Sequence, residues 1–188
     1  MLEKLLDQLS GAKRVVFMGI GEEKLSDDGV GLYIIAELLN YTNEKFLFIN
    51  AGIDPMIRID EVIDFDPSHL VLIDTCTLES SPGTVAILER ENICDYVPIS
   101  THTIPIHIVI DLIAEKIKNP DFKVFMIGIV PESLDGFSEL SFYKEGELTI
   151  QDKIDNENLP FFEIQLTRTI QKVADELIIV IKELIQRL

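Results

Sequence analysis

The sequence predicts an α/β fold, a three-layer α/β/α sandwich formed by one domain over residues 1–188. Three observations carry this. Five short apolar runs read as strands, segments of helical period alternate with them, and the runs are continuous rather than alternating. Continuous runs suit strands covered on both faces.

The elements follow in order. Met1 to Leu9 alternates charge with leucine and reads as an amphipathic helix. It lacks the unbroken apolar block of a signal peptide, so a cytoplasmic protein is expected. Strand one is Arg14–Gly19, and Val30, Ile34 and Leu38 mark the next helix, with Asp27 or Asp28 near its N-cap. Strand two is Phe46–Ala51, a short helix covers Pro55–Phe65, and strand three is Leu70–Asp74. The next connection, Thr75 to Gly83, has nine residues and ends in Pro82-Gly83. A parallel crossover needs about a dozen. Strand four, Thr84–Glu89, is therefore expected to run antiparallel in a mixed sheet. Pro105–Lys118 reads as a helix, Lys123–Ile129 as strand five, and Leu166–Leu188 as a long terminal helix. Lys144–Pro160 reads as a loop or small excursion.

Composition narrows the function. A net charge of −17 repels phosphate backbones and argues against nucleic acid. No apolar stretch approaches the ~20 residues of a membrane span. Nine acids against two lysines lie between Glu132 and Glu163. A solvated face explains them most plainly, and a docking surface for a basic partner is the sharper reading. Cys76 and Cys94 form no CxxC, so neither a zinc knuckle nor a disulfide framework is suggested.

Three residues stand out as candidate chemistry. Asp28 follows strand one, Asp74 ends strand three, and His102 precedes the helix leading to strand five. In open α/β sheets ligands bind beyond the carboxyl ends of the strands, where strand order reverses. Two carboxylates and an imidazole gathered there suit zinc, nickel or a similar borderline ion. The plainer readings differ by residue. An Asp at a helix start is usually a cap, which accounts for one acid of Asp27-Asp28 but not both. An acid ending an apolar strand is costly without a partner. A lone His in a Ser/Thr-rich turn is usually structural, and His69 and His107 are read that way. Gly19-x-Gly21 has Lys24 where the dinucleotide fingerprint needs Gly, and it lacks the Gly-Lys-Ser/Thr of a P-loop. Cys76 with His102 as nucleophile and base lacks any recognisable context; Cys76 is expected to fill space at the top of the sheet.

Laid out in order, these motifs resemble the nickel–iron hydrogenase maturation endopeptidases. They are Gly19-x-Gly21, Asp27-Asp28-Gly29-x-Gly31, Ile49-Asn-Ala-Gly52, Leu72-Ile-Asp74, Pro82-Gly83-Thr84, Thr101-His102-x-x-Pro105 and Gly128-Ile129-x-Pro131. The likeness runs from about Val15 to Phe142. Thr101-His102-x-x-Pro105 and Gly136-Phe137 look closest to the branch serving formate-linked or energy-converting hydrogenases.

The resemblance implies a phosphorylase/hydrolase-like sandwich with strand order 2-1-3-5-4 and strand four antiparallel. It implies an aspartic-type endopeptidase activity that removes the C-terminal extension of a hydrogenase large-subunit precursor. Asp28, Asp74 and His102 fall on the family's metal-contacting positions. Nickel would be presented by the substrate, with no tightly held metal of the protein's own, and zinc or cadmium could substitute in vitro. Two departures stand out: Glu22 replaces the usual Asn, and the segment from Tyr143 to Phe162 is longer than in close relatives. Two other readings compete, an autonomous zinc metallohydrolase using the same three residues and a nickel-sensing chaperone that cleaves nothing.

Overall fold

The computed structural model describes residues 1–96, 104–135 and 166–188. Five strands form one sheet: β1 (Val15–Ile20), β2 (Phe46–Gly52), β3 (His69–Thr75), β4 (Val85–Glu89) and β5 (Lys123–Ile129). Their spatial order is β2-β1-β3-β5-β4. β1, β2, β3 and β5 run parallel, and β4 pairs antiparallel with β5. The short connection after β3 thus has the expected consequence: the chain turns back and joins the sheet edge from the opposite direction.

Among the described residues, six α-helices flank the sheet: α1 (Leu2–Gln8), α2 (Val30–Leu38), α3 (Ile59–Phe65), α4 (Arg90–Tyr96), α5 (Ile106–Lys116) and α6 (Arg168–Arg187). Strand residues alternate between two cores, as a period of two requires. Val15 and Phe17 of β1 pack with α1, α2 and α6, whereas Val16 and Met18 pack with α3, α4 and α5. Both faces are covered, and all residues of β1 and β3 are buried. This is the three-layer sandwich. Phe17 and Phe48 stack across β1 and β2 with centroids 5.1 Å apart, fixing that pair from the α2 side.

Two details depart from the sequence reading. Arg90–Tyr96 is a helix of its own, burying Ile93, where no element was expected. Pro55–Phe65 divides into a 3-10 turn, Pro55–Arg58, and then α3. Asp54 opens that turn by accepting the Met56 N–H, and Asp66 closes α3 at φ 46°. The terminal helix starts at Arg168, behind a Thr167 cap whose side chain accepts the Ile170 N–H. The expected excursion over 144–160 and the 143–162 insertion lie outside the described residues, as does most of the acidic run. Among the described residues no helix is long and apolar enough to cross a membrane.

Candidate active site

The carboxyl ends of β1 and β3 lie side by side, and α2 begins in the notch between them. Glycines make that approach possible. A Cβ on Gly31 would stand 2.2 Å from the Ile73 carbonyl oxygen and 2.7 Å from that of Ile20. A Cβ on Gly21, at φ 138°, would stand 1.9 Å from the carbonyl oxygen of Asp28. The glycine spacing that mimics a dinucleotide fingerprint is thus a packing requirement. It seats the start of α2 against two strand ends and brings Asp28 to the mouth of the sheet.

Asp27 and Asp28 lie in a 3-10 turn, Ser26–Gly29, which leads into α2. Neither carboxylate caps that turn or α2: no side-chain cap bond forms at either N-terminus. The expected cap is therefore replaced by two longer-range roles. Asp27 points away from the notch, toward the exit of β5 and the start of α6. Asp28, 3% exposed, points into the notch. Its Oδ2 accepts the Glu22 N–H at 2.8 Å, and its Oδ1 accepts the Thr75 hydroxyl at 3.1 Å.

Asp74 is equally buried at the end of β3, opposite Gly128 of β5. Its Oδ1 accepts the Thr75 N–H at 2.7 Å. Thr75 therefore holds both carboxylates, Asp28 through its hydroxyl and Asp74 through its backbone. Sequence reasoning missed Thr75, and the one available signal was its place immediately after a strand-ending acid. Two buried carboxylates sharing one threonine are costly as mere packing, and the further polar contacts of both go beyond these bonds. His102, the third candidate, lies outside the described residues.

The neighbours sort out cleanly. The Glu22 backbone faces Asp28, while its carboxylate accepts the Lys24 N–H at 3.2 Å within its own loop. Cys76 is fully buried, packed where a Cβ on Gly128 would fall 2.7 Å from its Sγ. Burial, then the charge of Asp74, pushes its thiol up to about 11. A thiol so hard to ionise is a poor nucleophile, and Cys76 is the space-filler that the sequence suggested. His69 is buried at the opposite end of β3, its Nδ1 3.0 Å from Ser68 Oγ, and His107 is exposed on α5. As donors, two carboxylates and an imidazole fit a borderline divalent ion. Among the described residues alone, no group of three potential ligands is gathered.

The chain is similar to known proteins over most of its length. The HycI hydrogenase maturation protease family model matches residues 32–149, a span that holds Asp74 and His102 and begins just past Asp28. A Methanocaldococcus jannaschii protein provisionally named a hydrogenase maturation protease is 34% identical over 143 residues, covering 72% of this chain and 82% of its own. The Escherichia coli hydrogenase 3 maturation protease is 24% identical over 117 residues, 62% of this chain and 72% of its own. Among solved structures, the nickel–iron hydrogenase maturation protease HycI from Thermococcus kodakarensis superposes with a TM-score of 0.72 at 23% identity, covering 97% of this chain and 99% of that one. The Escherichia coli endopeptidase HybD superposes at 0.61 and 20% identity, covering 90% and 93%. At these identities the two structures share the fold.

Proposed function

This chain belongs to the hydrogenase maturation protease family and is a peptidase, and from that premise we propose that it removes the C-terminal extension of a nickel-loaded hydrogenase large-subunit precursor. The observation that carries the reading is the pair Asp28 and Asp74, buried at adjacent strand ends and yoked by Thr75. With His102, they are the residues assigned to the work. The Thr101-His102-x-x-Pro105 form favours a precursor of the formate-linked or energy-converting kind.

The division of labour follows from the donors. Two carboxylates accept and do not donate, so they suit a cation or the proton of an attacking water. The nickel belongs to the precursor, and there it would polarise the scissile carbonyl or acidify a water. The protein's part is to hold the extension against that centre, with one carboxylate taking the water's proton. Three ligands leave a metal shell open, which suits a centre completed by the substrate.

The test is purified precursor, nickel-loaded or nickel-free, incubated with the protein and followed by mass. The loaded form should lose its extension and the nickel-free form should stay intact. Asp28→Asn and Asp74→Asn should each fold and slow cleavage by ~10²–10⁴-fold, the usual weight of a general base. Equal cleavage of nickel-free precursor would move the ion onto the protease, as would a stoichiometric zinc that survives dialysis. Wild-type rates in both Asn variants would sink the site assignment.

A further inference from the structure

Asp27 is fully buried, and the reading above gives it no work. Yet its carboxylate gathers four hydrogen bonds from distant parts of the chain. Oδ2 accepts the N–H groups of Glu132 and Ser133, both at 2.9 Å, and the Thr167 hydroxyl at 3.1 Å. Oδ1 accepts the Thr167 N–H at 2.7 Å. The Asp27 N–H in turn donates to the Ser133 carbonyl at 3.2 Å. Thr167 is also the N-cap of the 20-residue α6, so the carboxylate sits at the positive end of that long helix. Charge-assisted bonds of this kind are about twice as strong as neutral ones.

The next residue is Asp28, and the same short turn carries both. On the β1 side that turn has no slack, because Asp28's own carbonyl fills the space beside Gly21. On the other side Asp27 is the fastening. Released there, the turn can pivot, and Asp28 drifts from the Thr75 hydroxyl that holds it.

We propose that Asp27 is a positioning residue of the peptidase site: it acts through Asp28, by locking the Ser26–Gly29 turn to the exit of β5 and to the Thr167 cap of α6. This rests on the reading of Asp28 as a working carboxylate. It also means that the start of α6, over a hundred residues away in sequence, helps to set the geometry of the site.

The experiment compares kcat and KM for nickel-loaded precursor across Asp27→Asn, Thr167→Val and Thr167→Ser, with thermal melts of each. Asp27→Asn keeps the shape but turns one acceptor into a donor facing donors. Thr167→Val removes the hydroxyl, and Thr167→Ser restores it. The expected result is a kcat lowered ~10²-fold for Asp27→Asn, the cost of misplacing a reacting group by about 1 Å, with KM little changed. Thr167→Val should move kcat in the same direction and Thr167→Ser should rescue it. Should Asp27→Asn fail to fold, the Thr167 pair answers the question alone. Lower melting with wild-type kcat in the folded variants would overturn the proposal and leave Asp27 as a staple. Asp28→Asn, run beside them, separates the two failures. If it is dead while the Asp27 and Thr167 variants turn over normally, only positioning is refuted; if it cleaves at the wild-type rate, the underlying reading falls and positioning with it.

Discussion

Gly31→Ala should damage stability and activity together, because of where the added methyl must go. Its Cβ would lie 2.2 Å from the Ile73 carbonyl oxygen, 2.7 Å from that of Ile20 and 3.1 Å from the Ile20 nitrogen. Ordinary van der Waals contact begins at 3.4 Å, so the first overlap exceeds 1 Å. All three obstacles are backbone of β1 and β3, the two fully buried strands at the middle of the sheet, and none can turn aside as a side-chain tip would. One effect opposes the clash: alanine restricts the unfolded chain relative to glycine, which is also most of its advantage as a helix former, worth ~0.4–1 kcal/mol. Overpacking a rigid site costs ~1–3 kcal/mol and occasionally more, and an overlap of this size against main chain belongs at the upper end. We expect a net loss of about 2 kcal/mol, or ~4–8 °C in melting temperature for a chain of this length. To relieve the clash α2 must back away from the strands by about 1 Å, carrying the turn that bears Asp28. That displacement should slow precursor cleavage ~10²-fold even where the variant is folded. Gly52→Ala is the control: φ is +57° and nothing lies within 4 Å, so it should cost only the left-handed backbone penalty of ~1–2 kcal/mol and displace nothing. Urea denaturation and precursor cleavage, run on both variants, decide the matter. A Gly31→Ala protein as stable as wild type, or less disturbed than Gly52→Ala, would refute the account of the notch.

Cys76→Ser should cleave precursor at close to the wild-type rate, because a thiol pushed to about 11 by burial and by Asp74 holds almost no thiolate at neutral pH. In the native wild type, iodoacetamide should label exposed Cys94 well before Cys76; an inactive but folded Cys76→Ser would restore the thiol mechanism. His69 has its pKa lowered by burial and then by Lys123. The unfolded chain therefore binds the proton more readily, and stability should be intact above ~6.5, the unfolded value, then fall as pH drops from there through the folded pKa. Denaturation midpoints of wild type and His69→Gln between pH 7.5 and 5 test this: the wild type should lose more of its midpoint on acidification, and parallel curves would remove His69 from the account.

The sheet was legible because its cause is local and repeated. Buried strands must be apolar on both faces, so runs such as Val15 to Ile20 and His69 to Thr75 announce themselves. The reversal of β4 was legible for a different reason: nine residues between Thr75 and Gly83 are too few to cross back over a sheet. Arg90–Tyr96 was not legible. Only Ile93 of its seven residues is buried, and Ile93, Cys94 and Tyr96 in so short a segment carry no period to read. It packs against β4 and β5, contacts between segments that no local pattern announces.

For the site the division lies elsewhere. A sequence displays residues that are expensive where they stand, and Asp74 at the end of an apolar strand is one of these. It does not display which donors offset the expense. The doublet Asp27-Asp28 looks like one cap and one spare acid, yet neither acid caps the Ser26–Gly29 turn or α2. One carboxylate is met by Glu22 and Thr75, the other by Glu132, Ser133 and Thr167. Those partners include backbone N–H groups, which every residue but proline carries and which therefore leave no mark on the sequence. Thr75 leaves a faint one, as a β-branched residue that belongs in a strand whatever its hydroxyl does. The candidate carboxylates could thus be named from the chain alone, whereas the network that gives them direction appears only once β1, β3, β5 and α6 have come together.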